Sequence, residues 1–425
     1  MCSSDLAEDR SQHLSANHSP MIGASVDGPR VNESHINDSR SNDSRIRLFL
    51  MTNSFETGGS ERQFGVLARN LRPQEFNVHL GCILRKGPFA NDFGDVPEYW
   101  LGGSLYGWKS WQTRLRLSQS LRQQRIEIAH AFDFYTNLTL IPAARFAGTP
   151  VVIGSQRQIG DLLTPRQFRA QAAAFRWCDA VICNSRAAAD RLGQAGISND
   201  KLVVIGNALP EEAFVLAQAA LSKRPGVLRV GMVARMNAHY KNHSGFLRIA
   251  KRINQQMPDV EFLLAGDGPL RAELEREAQN LGLGERVIFL GDRRDIPAVM
   301  ASLDVAVLTS DSESLSNVIL EAMAARLPTV AYGVGGNIEL INEERGALVS
   351  AGEEEAFASA VARLLSAASV RSQLGENARK FVDDNFSLEN VRAKYEACYQ
   401  SLLEKKGVRT PLETWRPTTE ARRNG

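Results

Sequence analysis

From residue 46 onward the chain alternates short apolar, often β-branched runs with longer stretches of helical periodicity, and it does so in two series. The first series places strand candidates at 46–51, 77–83, 126–131, 150–154, 180–184 and 202–205, with helical patterns such as 114–124, 166–176 and 185–195 among them. The second places strands at 228–234, 260–265, 287–290, 305–309 and 329–332, with helices over 243–256, 269–281, 296–301 and 316–325. Strands joined through helices pair in parallel, and the helices then cover both faces of the sheet. The pattern therefore predicts an α/β protein of two Rossmann-like domains, residues 46–208 and 227–386, joined by a linker at 209–226 that carries two prolines. A last helix near 387–405 is expected to pack back on the first domain. Ligands of such sheets bind beyond the carboxyl ends of the strands, here in the cleft between domains.

The 425 residues, 43% of them hydrophobic, suffice for two such cores. A net charge of +2 gives no reason to expect nucleic acid. No apolar run approaches the roughly 20 residues that span a bilayer, and no leader-like core opens the chain. Five scattered cysteines without ligand spacing fit a reducing compartment, so the expected location is cytoplasmic. Residues 1–45 are polar and predicted disordered, their Asn-x-Ser sequons read as chance, and residues 406–425 form a second polar tail.

Four segments at strand ends carry the chemistry. Gly58-Gly59-Ser60-Glu61-Arg62 follows the first strand; its glycines admit close backbone approach and its helix start offers free N–H groups to an anion, although a plain turn capped by Ser60 accounts for it equally. Arg235 and Lys241, after the first strand of the second series, either converge on a diphosphate or are solvated surface charges. Ala265-Gly266-Asp267-Gly268 reads as a strand-to-helix turn. In the fourth segment Glu313 lies on a polar loop, the amides of Leu315, Ser316, Asn317 and Val318 open a helix, and Glu321 interrupts an apolar helical stretch. A carboxylate there needs a ligand hydroxyl, a cation or a structural salt bridge. Arg157, at the end of a strand of the first series, is a candidate acceptor or phosphate contact or simply a solvated arginine.

In order and context these segments resemble glycosyltransferase family 4, the retaining GT-B enzymes of glycosyl transferases group 1, over about residues 46–403. The family's Gly-Gly-Ala-Glu-Arg appears as Gly58-Gly59-Ser60-Glu61-Arg62, and its Gly-Arg-Leu…Lys as Ala234-Arg235…Lys241. Its glutamate pair, with seven residues between the two, appears as Glu313 and Glu321, and its late Gly-Gly-x-x-Glu as Gly335-Gly336-Asn337-Ile338-Glu339. The resemblance implies a GT-B fold, the two domains facing each other across a cleft. It implies a retaining glycosyltransferase that moves a sugar from a nucleotide-sugar donor to a glycan or lipid-linked acceptor in cell-surface polysaccharide or glycolipid synthesis, with no cofactor and no metal. Arg235, Lys241 and the Leu315, Ser316 and Asn317 region then hold the donor diphosphate, with Gly58 and Gly59 closing over it. Glu321 takes the ribose hydroxyls, and Glu313 sits by the transferred sugar.

Three departures accompany the match. His130-Ala131-Phe132-Asp133 stands where His-x-His is frequent, so His130 or Asp133 must serve the acceptor side, unless His130 merely fills the strand end. Ser314 replaces a glycine after Glu313, and Gly206-Asn207-Ala208 replaces the usual linker-side motif. Two alternatives therefore stand beside the transferase: a GT-B sugar-nucleotide epimerase, and a degenerate transferase acting as a binding partner. Lys109, Arg114, Arg116, Arg122 and Arg125, beside Trp108 and Trp111, make a basic, aromatic face suited to peripheral association with the inner membrane surface, or only a solvated helix face.

Overall fold

The computed structural model describes residues 43–408 apart from Thr57. The sequons and most of the polar amino-terminal stretch, and the tail from residue 409, lie outside the described residues.

Lobe 1 runs β1 (Ile46–Thr52), α1 (Gly59–Asn70), β2 (Phe76–Cys82), α2 (Trp108–Gln123), β3 (Ile128–Ala131), α3 (Phe134–Ala147), β4 (Val151–Gln156), α4 (Pro165–Phe175), β5 (Ala180–Cys183), α5 (Arg186–Gln194) and β6 (Leu202–Val204). Its strands form one parallel sheet in the order β2-β1-β3-β4-β5-β6. Lobe 2 runs β7 (Leu228–Val233), α6 (His243–Gln256), β8 (Val260–Ala265), α7 (Arg271–Asn280), β9 (Val287–Gly291), α8 (Ile296–Met300), β10 (Val305–Leu308), α9 (Asn317–Ala324), β11 (Thr329–Tyr332), α10 (Asn337–Leu340) and β12 (Gly346–Val349), then α11 (Glu354–Ser366) and α12 (Ala368–Phe386). Its parallel order is β12-β11-β10-β7-β8-β9.

Each sheet is wound outward in both directions from its middle, so each has a point where the winding reverses: between β1 and β3 in lobe 1, and between β7 and β10 in lobe 2. The loops leaving those two strands diverge to opposite faces and open a crevice at the carboxyl edge. The central strands are fully buried, with Leu48, Leu50, Ile128 and Ile153 in lobe 1 and Met232, Phe262, Leu264 and Val305 in lobe 2 all at 0% exposure, which is why they read as continuous apolar runs.

The chain then returns to lobe 1. The linker residue Leu209 donates its N–H to Phe386 O, and α13 (Leu388–Lys405) lays Val391, Tyr395, Tyr399 and Leu403 into the core around β1, β2 and β3. The buried Glu396 of α13 accepts from the Arg72 backbone N–H and side chain at 3.0 and 2.8 Å. The four described cysteines are free.

Three elements escaped the sequence reading, one of them the single-turn helix α10. The helix α3 is apolar nearly all round and contains Pro142, so it carries no amphipathic stripe and a helix breaker sits inside it. The edge strand β12 has only four residues. In addition, α2 begins at Trp108, six residues before the expected start at Arg114, because its first turn exposes aromatic side chains instead of burying them.

Candidate functional site

The carboxyl edges of the two sheets enclose a cleft of about 590 Å³, and most of the candidate residues line it: Gly59, Arg157, Arg235, Lys241, Glu313, Leu315, Ser316, Asn317 and Glu321. On the lobe 2 side the geometry follows from the winding reversal. The loop after β7 carries Arg235 and then a short 3-10 turn, His239–Lys241, that ends at Asn242 in the left-handed region (φ 54°). Asn242 caps α6 by accepting from Gly245 N–H at 3.0 Å, and asparagine tolerates that conformation better than most residues. The loop after β10 carries Glu313. The two loops are stitched together, Asp311 N–H to Tyr240 O at 2.8 Å and Thr309 Oγ1 to Asn242 O at 2.8 Å, and Lys241 Nζ reaches Glu313 Oε1 at 2.6 Å. The glycine turn after β8 supports this wall as well as lining it through Ala265 and Gly266. A Cβ on Gly266 would lie 2.0 Å from Ala234 O, and one on Gly268 2.4 Å from Met236 O, so only glycines let this turn press against the loop that holds Arg235.

Helix α9 opens the same wall. Its N-cap Ser316 accepts from Ile319 N–H at 3.3 Å, while the N–H groups of Asn317 and Val318, at the unsatisfied start of the helix, belong to residues that line the cleft. One turn further, Glu321 is 7% exposed and meets Arg62 of lobe 1 at 2.9 Å. Burial raises the Glu321 carboxyl above its ordinary range, with Arg62 opposing; the guanidinium is too solvated, at 41% exposure, to compensate fully. Arg235 is exposed and has no ion-pair partner among the described residues.

The lobe 1 wall is made differently. Gly59 comes so close to lobe 2 that a Cβ would sit 3.0 Å from Asn317 Nδ2. Gly58 is the buried N-cap of α1 and is absent from the cleft lining; the Glu61 carboxylate folds back over it, occupying the position a Cβ would take. Arg157 lines the cleft but is held by Asn207 Oδ1 at 2.6 Å and Tyr395 Oη at 3.2 Å, its guanidinium 5.2 Å from the Phe132 ring. Asn207 in turn donates to Leu315 O at 3.2 Å and Asn317 Oδ1 at 2.7 Å, tying the linker to the start of α9. Arg62, Asn184, Asn207 and the 292–294 segment after β9 also line the cleft, as do Pro88, Phe89 and Asp92 of lobe 1. Arg62 and Asn207 stood inside quoted motifs, but nothing local to them signalled a partner more than a hundred residues away.

His130 and Asp133 do not fit the acceptor-side role expected of them. His130 is 0% exposed; Tyr399 Oη lies 2.8 Å from its Nδ1 and Ser155 Oγ 2.7 Å from its Nε2. With both nitrogens engaged, burial pushes its pKa down to about 3 and the ring stays neutral. It is a core histidine that ties β3 to β4 and α13. Asp133 is the N-cap of α3: one oxygen accepts from Thr136 N–H at 3.1 Å, the other from Asn53 N–H at 2.7 Å. Burial raises it to about 7, with Glu61 adding to the rise and the N–H donors opposing it. Both oxygens serve the backbone, and neither residue lines the cleft.

Residues 57–212 match the family described as Glycosyltransferase Family 4, and residues 227–367 match Glycosyl transferases group 1. The UDP-Gal:alpha-D-GlcNAc-diphosphoundecaprenol alpha-1,3-galactosyltransferase of Escherichia coli is 26% identical over 359 residues, 78% of this chain and 91% of that protein. The lipopolysaccharide core biosynthesis glycosyltransferase LpsE of Rhizobium meliloti is 30% identical over 222 residues, 52% of this chain and 64% of that protein. Among solved structures, Anabaena Alr3699/HepE in complex with UDP superposes with a TM-score of 0.72 at 22% identity, covering 84% of this chain and all of that one, a likeness of fold. With both lobes matched, the chain belongs to glycosyltransferase family 4 and is a glycosyltransferase of GT-B architecture.

Proposed function

We propose that the chain transfers a hexose from a UDP-sugar to a lipid-linked or glycan acceptor, with retention at the anomeric carbon and without a metal ion or cofactor. The observation that carries this reading is the convergence of Arg235, Lys241 and the α9 amino end beside Glu313 and Glu321, at the winding reversal of lobe 2. As the bond from the anomeric carbon to the phosphate oxygen breaks, negative charge grows on the diphosphate. Fixed cations and helix N–H groups stabilise that charge more in the transition state than in the ground state. Glu321, buried and raised, suits the ribose hydroxyls; Glu313 is held beside Lys241 for the sugar. Retention then follows from same-face attack, the acceptor oxygen bonding to the anomeric carbon as its proton passes to the leaving phosphate. The UDP-linked names of the galactosyltransferase relative and of the HepE complex support uridine as the base.

We place the reaction in cell-surface polysaccharide or glycolipid synthesis, on the cytoplasmic face of the membrane. No helix among the described residues is long and apolar enough to cross a bilayer. Support for surface attachment comes from α2, where Trp108 and Trp111 are 77% and 51% exposed, Tyr106 precedes them at 80%, and residues 99–126 carry five cations and no acidic residue.

A thermal-shift series with UDP-, GDP- and ADP-sugars, each with and without EDTA, tests the core of this reading. A UDP-sugar should raise Tm and release UDP in either condition. No shift with any of the three, or turnover abolished by EDTA and restored by a divalent cation, defeats it.

A further inference from the structure

The late Gly-Gly-x-x-Glu segment has no part in the donor wall as described, yet its glutamate bonds directly to the backbone of the other lobe. Glu339, in α10 of lobe 2, accepts the Arg186 N–H at 2.9 Å through Oε2 and the Ala187 N–H at 3.0 Å through Oε1. These are the first two N–H groups of α5 in lobe 1, and the third, Ala188 N–H, is taken at 3.1 Å by the helix's own Ser185. The amino end of α5 is thus capped across the cleft by a carboxylate, a charge its dipole favours. The glycines explain how that contact reaches the chemistry. Gly335, at φ +48°, would place a Cβ 1.8 Å from Glu313 O, and Gly336 would place one 1.8 Å from Ser314 O. Lacking side chains, they lie flat under the Glu313–Ser314 backbone, and Gly336 N–H donates to Glu313 O at 3.2 Å. Ser314, the departure noted above, adds a second tie by donating to Asn184 Oδ1 at 2.6 Å, with Ser185 Oγ at 3.2 Å.

We infer that Glu339 is a positioning residue. By docking on α5 it latches the lobes together and, through Gly335 and Gly336, fixes the backbone that presents Glu313 to the transferred sugar. The inference rests on the donor-side reading of Glu313. Glu339→Gln keeps the volume and removes the charge and one acceptor, and Glu339→Ala removes both acceptors. Two measurements decide: hydrogen exchange at the Arg186 and Ala187 amides, and UDP release from UDP-glucose beside UDP affinity by calorimetry. Expected in both variants are faster exchange at those two amides and a kcat lower by about tenfold, with UDP affinity within about threefold of the parent, because only sugar placement is disturbed. Unchanged protection, unchanged kcat, or kcat and UDP affinity falling together with Tm would each overturn the inference. If the parent protein itself neither binds UDP nor turns over UDP-glucose, the donor reading fails, and the exchange measurement still decides whether the latch exists.

Discussion

The two sheets reverse their winding in the same way, but the loops at the two reversals are used differently. In lobe 2 the loops after β7 and β10 bring Arg235, Lys241 and Glu313 to the rim, and α9 begins beside them. In lobe 1 the loops after β1 and β3 are joined by the chain itself: Asp133 spans from Asn53 N–H to the start of α3, and His130 beneath it is sealed between Tyr399 and Ser155. Topology makes a crevice available; side chains decide whether it is a site or a joint. Lobe 1 reaches the cleft with Gly59, Arg62, Arg157 and two asparagines, and also with Ser60 and the Pro88, Phe89 and Asp92 segment; its two arginines there are already engaged, Arg62 by Glu321 and Arg157 by Asn207.

The contrast is broken most directly at Lys241. Lys241→Ala, and separately Arg235→Ala, should cost roughly 10²–10³ in kcat/KM, about 3–4 kcal/mol of transition-state stabilisation, measured as UDP release. A comparable loss in Arg62→Ala would show that lobe 1 carries as much of the developing charge, and the distinction between the walls would vanish.

A somewhat smaller effect concerns the sealed crevice. His130 has a folded pKa near 3, below the ordinary value of 6.5, so the stability this implies is fully present above pH 6.5 and is lost as pH falls toward 3. Between pH 7.5 and 4.5 the parent should lose about 2–3 kcal/mol through this group alone, and His130→Gln should show a correspondingly smaller loss in urea unfolding over that interval. Equal pH dependence in the two proteins would mean that the ring can take a proton in the folded state, as an acceptor-side histidine would.

The smallest effect sharpens the seam between the walls. Arg62→Ala removes the partner of a buried carboxylate, but the guanidinium is 41% exposed and already shares its charge with water. The expected stability loss is about 1 kcal/mol by the same unfolding assay. A loss of several kcal/mol would instead mark a dry interlobe bridge.

The lobe 2 wall was legible because it is local: each strand, its polar loop and the next helix are contiguous, so Arg235, Lys241, Glu313 and Glu321 appear in sequence in the context that gives them meaning. The surroundings of His130 and Asp133 were not legible, for the opposite reason. Their partners Tyr399, Ser155 and Asn53 lie on other elements, and residue type alone does not separate a histidine with two buried hydroxyls from one facing a substrate. Pro142 hid α3 for a different reason, since burial on all sides outweighed the local propensity against a helix.

The order of residues by itself determined two parallel sheets, their helices and the charged loops at the strand ends, because hydrophobic period and turn chemistry act over a few residues. Only the tertiary structure decided how the loops at each reversal are used, that Arg62 meets Glu321, and that Glu339 caps a helix of the other lobe. The two contacts between lobes join positions roughly 150 and 260 residues apart, and they form only once two independently packed cores have set the distance between them.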